Sequence, residues 1–241
     1  ADSYELDDPS SVFDSAAFRS GQLFVQDVNA GLAATLLHPQ PGDIVLDVCS
    51  APGGKMAQMA MLMGGQGRIV ACDRSSTRLR RVGENTARLG LPGITRLVED
   101  ARKPSIAAPP TGWRRGEATS GVNQQTDGFD RVLVDAPCSN TGVLMKRVDA
   151  RFRVNEDELR RLEALQRELL IRAADLVRPG GVLVYATCSI IPGENHLLTR
   201  QLIEARETFR IDEERLRYPH RTGRDGGYMA RMIRDGMVAT S

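Results

Sequence analysis

Five short, strongly apolar runs, with stretches of helical spacing between most of them, constrain this chain more than any other feature. They are Ile44–Val48 (IVLDV), Arg68–Cys72 (RIVAC), Thr95–Val98 (TRLV), Arg131–Asp135 (RVLVD) and Val182–Ala186 (VLVYA). Runs this short, rich in β-branched residues and continuously apolar, read as strands buried on both faces. Strands that alternate with helices form a parallel sheet, because a parallel connection needs a crossover long enough to hold a helix. The expected fold class is α/β: a doubly wound, mostly parallel sheet with helices covering it.

The helices are legible by their spacing. Lys55–Met63 is rich in Met and Ala and stops at Gly64-Gly65. Ser76–Leu89 carries Leu79, Val82, Thr86 and Leu89 on one face and ends at Gly90. The clearest helix runs over Asn155–Val177, where Leu159, Leu162, Leu165, Leu169, Ala173 and Leu176 recur at helical spacing. Arg178-Pro179-Gly180-Gly181 ends it and turns the chain into the next strand. Asn195–Ala205 predicts another helix; Tyr228–Ile233 and Met237–Ala239 predict late edge strands of antiparallel sense. The first forty residues hold few strand signals, so 1–40 is expected to be an extension packed on a core domain spanning 41–241. Ala107–Gly128 contains Pro109-Pro110, Trp113, Arg114-Arg115 and a polar tail. It is too long for an ordinary connection. It reads as a surface insertion, or as a binding element in which Trp113 stacks a base rather than anchoring the loop.

Composition narrows the function classes. With 41% hydrophobic and 26% charged residues over 241 positions, the chain can bury a core, which excludes wholesale disorder. Lys and Arg number 32 against 31 Asp and Glu, a formal charge of +1. That excludes binding to nucleic acid by bulk charge but not by local patches. Candidate patches are Lys146/Arg147/Arg151/Arg153, Arg78/Arg80/Arg81 and Arg221/Arg224, each of which reads equally well as a solvated face. No apolar run approaches the roughly 20 residues of a membrane span, and the acidic start lacks the order of a signal peptide. Four cysteines without a C-x-x-C pair support neither a disulfide scaffold nor a structural zinc site. The expectation is a reduced, soluble, cytoplasmic monomer with no metal and no membrane partner. His38, His196 and His220 are scattered and read as structural or surface residues.

Chemistry first appears where the first strand ends in a small-residue turn, Cys49-Ser50-Ala51-Pro52-Gly53-Gly54, before a helix opening at Lys55. In an open parallel sheet this turn lies at the carboxyl edge, where ligands bind. Glycines allow close backbone approach and a helix start favours negative charge. The spacing differs from G-x-G-x-x-G, which disfavours a dinucleotide reader. Asp47, Asp73, Asp100 and Asp135 stand at the same end of four successive strands. Any one alone reads as a loop cap; together they describe a nucleoside-type cofactor lying across the edge. Cys138 and Cys188 follow the fourth and fifth strands, so both sit at that edge, whereas Cys49 and Cys72 fit core packing.

The segments DVCSAPGGK, DAPCSNTGV and YATCS, in that order, resemble the motifs of the RNA 5-methylcytosine methyltransferases, most closely the bacterial ribosomal RNA branch. GQLFVQD upstream and DGGYMARMI near the end extend the resemblance over nearly the whole chain. It implies a Rossmann-like fold of the S-adenosylmethionine-dependent methyltransferase type, with 41–241 as the catalytic domain. It also implies methyl transfer from S-adenosylmethionine to carbon 5 of a cytosine in RNA. Carbon 5 is a poor nucleophile, and a thiolate adding to carbon 6 makes it an enamine carbon; cysteine can attack and later depart. By resemblance Cys188 attacks, Cys138 assists release, Asp135 holds the base edge, and Lys55 lies close to both cofactor and base. Asp73 would bind the ribose, Asp100 the adenine edge, and Cys49 through Lys55 the methionine end, with Arg78 and Asp135 completing the cofactor set. Asn140 stands where the family usually has glycine.

The resemblance implies an RNA partner, ribosomal RNA or an assembling ribosomal subunit, with the target cytosine unstacked. Full-length members of the branch carry an N-terminal RNA-binding domain, for which this chain has no room. Four alternatives remain open: transfer RNA as substrate, a catalytically silent RNA-binding assembly factor, a DNA cytosine methyltransferase whose Pro-Cys cysteine attacks, and a nicotinamide-dependent oxidoreductase.

Overall fold

The computed structural model describes residues 11–103, 108–109 and 128–236. Seven strands form one sheet: β1 (Ile44–Val48), β2 (Arg68–Asp73), β3 (Ile94–Val98), β4 (Phe129–Asp135), β5 (Val177–Thr187), β6 (Phe209–Arg217) and β7 (Gly227–Arg234). Their order is β3-β2-β1-β4-β5-β7-β6. The first five strands run parallel; β7 is antiparallel to both β5 and β6. The helices are α1 (Ala16–Arg19), α2 (Val28–Leu37), α3 (Gly54–Leu62), α4 (Ser76–Arg88), α5 (Glu156–Leu176), α6 (His196–Ala205) and α7 (Pro219–Thr222). This is the Rossmann-like, mostly parallel arrangement expected from the sequence.

Alternation along each strand sends side chains to two cores. Ile44, Leu46 and Val48 of β1 join Leu169, Leu170, Ala173 and Leu202 of α5 and α6 on one face. Val45 points the other way, to Leu37 of α2, Met56 and Met59 of α3 and Val82 of α4. Asp130, buried in β4, accepts from the Ile44 backbone N–H at 2.8 Å and pairs with Arg178 at 2.7 Å, tying β1, β4 and the start of β5 together.

Five elements differ from the sequence reading. β3 lies at the sheet edge and is only partly covered, so its apolar run is not buried on both faces. β5 begins at Val177, directly after α5; residues 178–181 form an irregularity in its pairing with β4, with Gly180 at φ 72°. β7 is antiparallel as expected but lies inside the sheet, and the outer strand is β6. The sequence FRIDEERLR of β6 hides its period of two because the more covered positions after Ile211, Glu213 and Arg215, are charged as well and the register shifts between Ile211 and Glu213; the charges suit an edge that must not pair further. α2 was missed because VNAGLAATLL has no polar face; it is wedged between α3 and the β4–β5 region. Its start is capped by Asp27 accepting the Asn29 N–H at 2.8 Å. The proposed insertion, with Trp113, and the strand expected at 237–239 lie outside the described residues, apart from 108, 109 and 128. None of the described helices is long and apolar enough to cross a membrane.

Candidate active site

Parallel strands share one carboxyl edge, so β1, β2, β4 and β5 deliver their final residues to the same side. The antiparallel β7 brings its first residues there too, with Tyr228 opposite Thr187. Three connections then meet. Gly142 donates its N–H to the Cys188 carbonyl at 2.9 Å, and its own carbonyl accepts the Gly226 N–H at 2.7 Å. A Cβ on Gly142 would stand 2.6 Å from the Gly226 backbone, so only glycine permits this approach. Lys146 closes the rim by pairing with Asp27 at 2.6 Å and Asp225 at 2.8 Å.

These connections enclose a cavity of about 430 Å³. The sequence-predicted residues Cys49, Ala51, Lys55, Arg78, Asp135, Cys138 and Cys188 all line it. The two thiols, fifty positions apart, are neighbours: Cys138 Sγ and Cys188 Sγ lie 3.2 Å apart. When protonated, the Cys188 thiol donates to Asn140 Oδ1 at 3.0 Å, and the Asn140 amide N–H donates to the Cys138 carbonyl at 2.9 Å. Asn140 has φ 61°, the left-handed region that glycine would supply. Asparagine tolerates it and adds a polar contact to the sulfur.

Lys55 Nζ and Asp135 Oδ2 form an ion pair at 2.6 Å. Burial alone would pull the Lys55 ammonium down; the adjoining Asp135 carboxylate more than reverses this and holds it above its ordinary range. The thiols are pushed apart. A hydrogen bond from Cys138, helped by Lys55, holds Cys188 below the usual thiol range against burial and Asp135. The same hydrogen bond, with burial and Glu194, raises Cys138 well above it. The arrangement therefore favours the thiolate at Cys188 over that at Cys138. Burial pushes the Cys49 thiol up, and Cys72 up to about 12, which leaves both inert at neutral pH.

The remaining predicted residues do not line the cavity. The Ser50 hydroxyl donates to Asp47 at 2.7 Å. Pro52 offers its carbonyl to Asn85 at 3.1 Å. Gly53, at φ 100°, opens α3, and a Cβ there would press on Met56 and Val82, while one on Gly54 would meet Phe24. These glycines serve the turn and helix packing. Asp73 is buried, accepting the Ala51 and Ser75 N–H groups at 3.3 and 2.9 Å and pairing with Arg78 at 3.2 Å. Asp100 is gripped by Arg102 at 2.6 Å, whose hydrogen bonds pull its carboxyl down to about 2.

Four lining residues lie outside every motif segment and candidate read from the sequence: Arg217, which donates to Asn29 at 3.1 Å, Asn29 itself, Ala30 and Ala33. Arg217 lies in the unrecognised β6 and Asn29 in the unrecognised α2, so no local signal marked them. Arg78 and Lys146, read as candidate phosphate contacts, pair with Asp73 and with Asp27 and Asp225, their side chains still about half exposed or more. His38, His196 and His220 are absent from the lining. No cluster of metal-ligating side chains occurs among the described residues.

The sequence profile of the family described as 16S rRNA methyltransferase RsmB/F matches residues 34–234. Ribosomal RNA small subunit methyltransferase B of Vibrio cholerae is 41% identical over 199 residues, which are 83% of this chain and 42% of that protein. The protein of the same name from Erwinia tasmaniensis is 33% identical, over 97% of this chain and 52% of its own length. This chain therefore spans about half the length of these relatives. Among solved structures, NSun6 from Pyrococcus horikoshii, determined with SFG, superposes with a TM-score of 0.78 at 27% identity, covering 92% of this chain and 56% of that one.

Proposed function

We propose, because this chain belongs to the 16S rRNA methyltransferase RsmB/F family, that it methylates carbon 5 of a cytosine in RNA. Ribosomal RNA, free or in an assembling subunit, is the expected substrate, and S-adenosylmethionine the methyl donor. Residues 41–241 form the catalytic domain and 1–40 an extension of it, working where ribosomal RNA is made and assembled, in the cytoplasm.

The residues present suit that cofactor. An ammonium (Lys55), a guanidinium (Arg78) and a carboxylate (Asp135) stand beside small side chains in a cavity within the about 300–1,000 Å³ of small-molecule sites. This donor set matches a zwitterionic sulfonium compound, and Cys49, Ala51, Lys55, Arg78 and Asp135 would hold it. S-adenosylmethionine, when bound, supplies an electrophilic methyl group.

The chain's own residues do the rest. Cys188 Sγ, as thiolate, adds to carbon 6 of the cytosine, and the ring electrons move to make carbon 5 nucleophilic. Asp135, steadied by Lys55, holds the base at its amino and N3 edge and favours that electron shift. Once carbon 5 carries the methyl group, its proton leaves, the ring double bond re-forms and the Cys188–carbon 6 bond breaks. Cys138 assists this release. What carries the reading is the 3.2 Å pairing of two unlike thiols beside the Lys55–Asp135 ion pair.

RNA containing 5-azacytidine tests it, because that base has no carbon 5 proton to lose and the covalent complex persists. The wild-type chain should form a denaturation-resistant complex in the presence of S-adenosylmethionine. Cys188→Ala should lose it and Cys138→Ala should keep it; the reverse pattern would overturn the assignment.

A further inference from the structure

Glu194 ends the 3-10 turn Pro192–Glu194 after β5 and is fully buried, yet the chemistry above does not use it. Its Oε1 accepts the Ser139 backbone N–H at 2.8 Å and the Gln166 amide at 2.9 Å. Its Oε2 accepts the hydroxyls of Ser139 and Ser189, both at 2.5 Å. These serines directly follow Cys138 and Cys188. Thr141 closes the web, its hydroxyl 3.2 and 3.0 Å from the two serine oxygens while accepting the Ile190 N–H at 3.1 Å. Gln166, buried on α5, also donates to the Pro137 carbonyl at 2.8 Å. A carboxyl taken wholly out of water is costly unless its lone pairs are satisfied. Here the satisfying donors come from both cysteine-bearing connections and from α5.

We propose that Glu194 is a positioning residue for the two-thiol centre, tying the backbone beside Cys138 to the backbone beside Cys188 so that one sulfur stays within hydrogen-bonding reach of the other. This rests on the reading in which Cys188 attacks. β4 and β5 pair through Asp135 and Ala186, and beyond them the Ala136 N–H still bonds the Ala186 carbonyl. Past that point the two connections are held together by Glu194, by Thr141, by the Ser139 and Ser189 hydroxyls at 3.1 Å, by the Asn140–Cys188 contact and by the Gly142–Cys188 bond. The titratable and charged neighbours of Cys188 are Cys138, Asp135 and Lys55. Of these, the Cys138 donor acts most strongly to favour the Cys188 thiolate. If the connections drift apart, that donor is lost first, and burial and Asp135 then favour the unreactive thiol.

The test reads Cys188 alkylation by iodoacetamide against pH, followed by peptide mass spectrometry, on the full chain without RNA. Glu194→Ala should move the midpoint upward and slow alkylation at neutral pH on the order of tenfold. Glu194→Gln should restore most of the rate: its carbonyl can face Ser139 N–H and Gln166, and its NH2 the serine hydroxyls, which can rotate to accept it. In a Cys138→Ala background Glu194→Ala should add nothing. An unchanged profile in Glu194→Ala, a glutamine variant as slow as alanine, or an equal drop without Cys138 would each overturn the proposal. If thermal melting shows that Glu194→Ala does not fold, the Ser139→Ala/Ser189→Ala variant takes its place, and an unchanged profile there overturns it equally. Should the wild type methylate no RNA, the function proposed above fails while this thiol measurement stands on its own.

Discussion

Asn140 occupies the left-handed region beside the reactive sulfurs, where an L side chain is strained and a bare backbone is not. Asn140→Gly and Asn140→Ala both lose the contact to Cys188, but only alanine must bear the strain. Asn140→Ala should be less stable than Asn140→Gly by about 1–2 kcal/mol in chemical denaturation; equal stability would contradict the backbone assignment. Asp47 makes a second residue-scale case. It is buried in β1, Oδ2 accepts only the Ser50 hydroxyl and Oδ1 has no partner among the described residues. Burial raises its carboxyl from 3.8 to about 7. The folded chain thus holds this proton more tightly than the unfolded one. Its contribution to stability is complete below about pH 4 and is lost as pH rises towards about 7. Asp47→Asn should match the wild type near pH 4 and exceed it at pH 8 by on the order of 2–4 kcal/mol. Melting curves at the two pH values measure this, and an unchanged difference would refute it.

α5 is the element on which the site leans, since it buries one face of the sheet and supplies Gln166 to the Glu194 web. Its sequence states its own limits: Asn155 accepts the Glu158 N–H at 3.0 Å, acidic residues fill the first turn, and leucines recur along one face. Leu170, 1% exposed at the centre of that face, should cost about 2–5 kcal/mol when replaced by alanine, read from denaturant midpoints. A change under 1 kcal/mol would mean the face is not packed as described. The far end of α5 was harder to read. Pro179-Gly180-Gly181 carries turn chemistry, and the chain does bend there, but as an irregularity inside β5 rather than as a loop before it. Turn residues report local backbone geometry and cannot say whether a neighbouring strand is still paired. The same limit hid β6, whose inward residues make sense only once β7 lies beside them.

Across the whole molecule, charge is nearly balanced, and Arg78 and Lys146 are occupied with Asp73, Asp27 and Asp225. Binding of this chain to an isolated ribosomal RNA fragment should therefore be weak and fall steeply between 50 and about 200 mM salt; tight binding insensitive to salt would contradict this. The strand at 44–48, residues 68–72 of β2 and 131–135 of β4, the starts and ends of α3 to α6 to within one residue, and the motif cysteines were legible in the sequence. Each depends on a period or a cap within a few residues, and such signals survive without knowledge of neighbours. Which side chains meet was decided by tertiary structure. Strand order put β4 beside β5 and so brought Cys138 to Cys188, while Asp100, at the end of the edge strand β3, was left to pair with Arg102 outside the cavity. Glu194 carries no motif-like signal at all, because a carboxyl's role follows from the donors around it, and those donors come from three segments far apart in the chain.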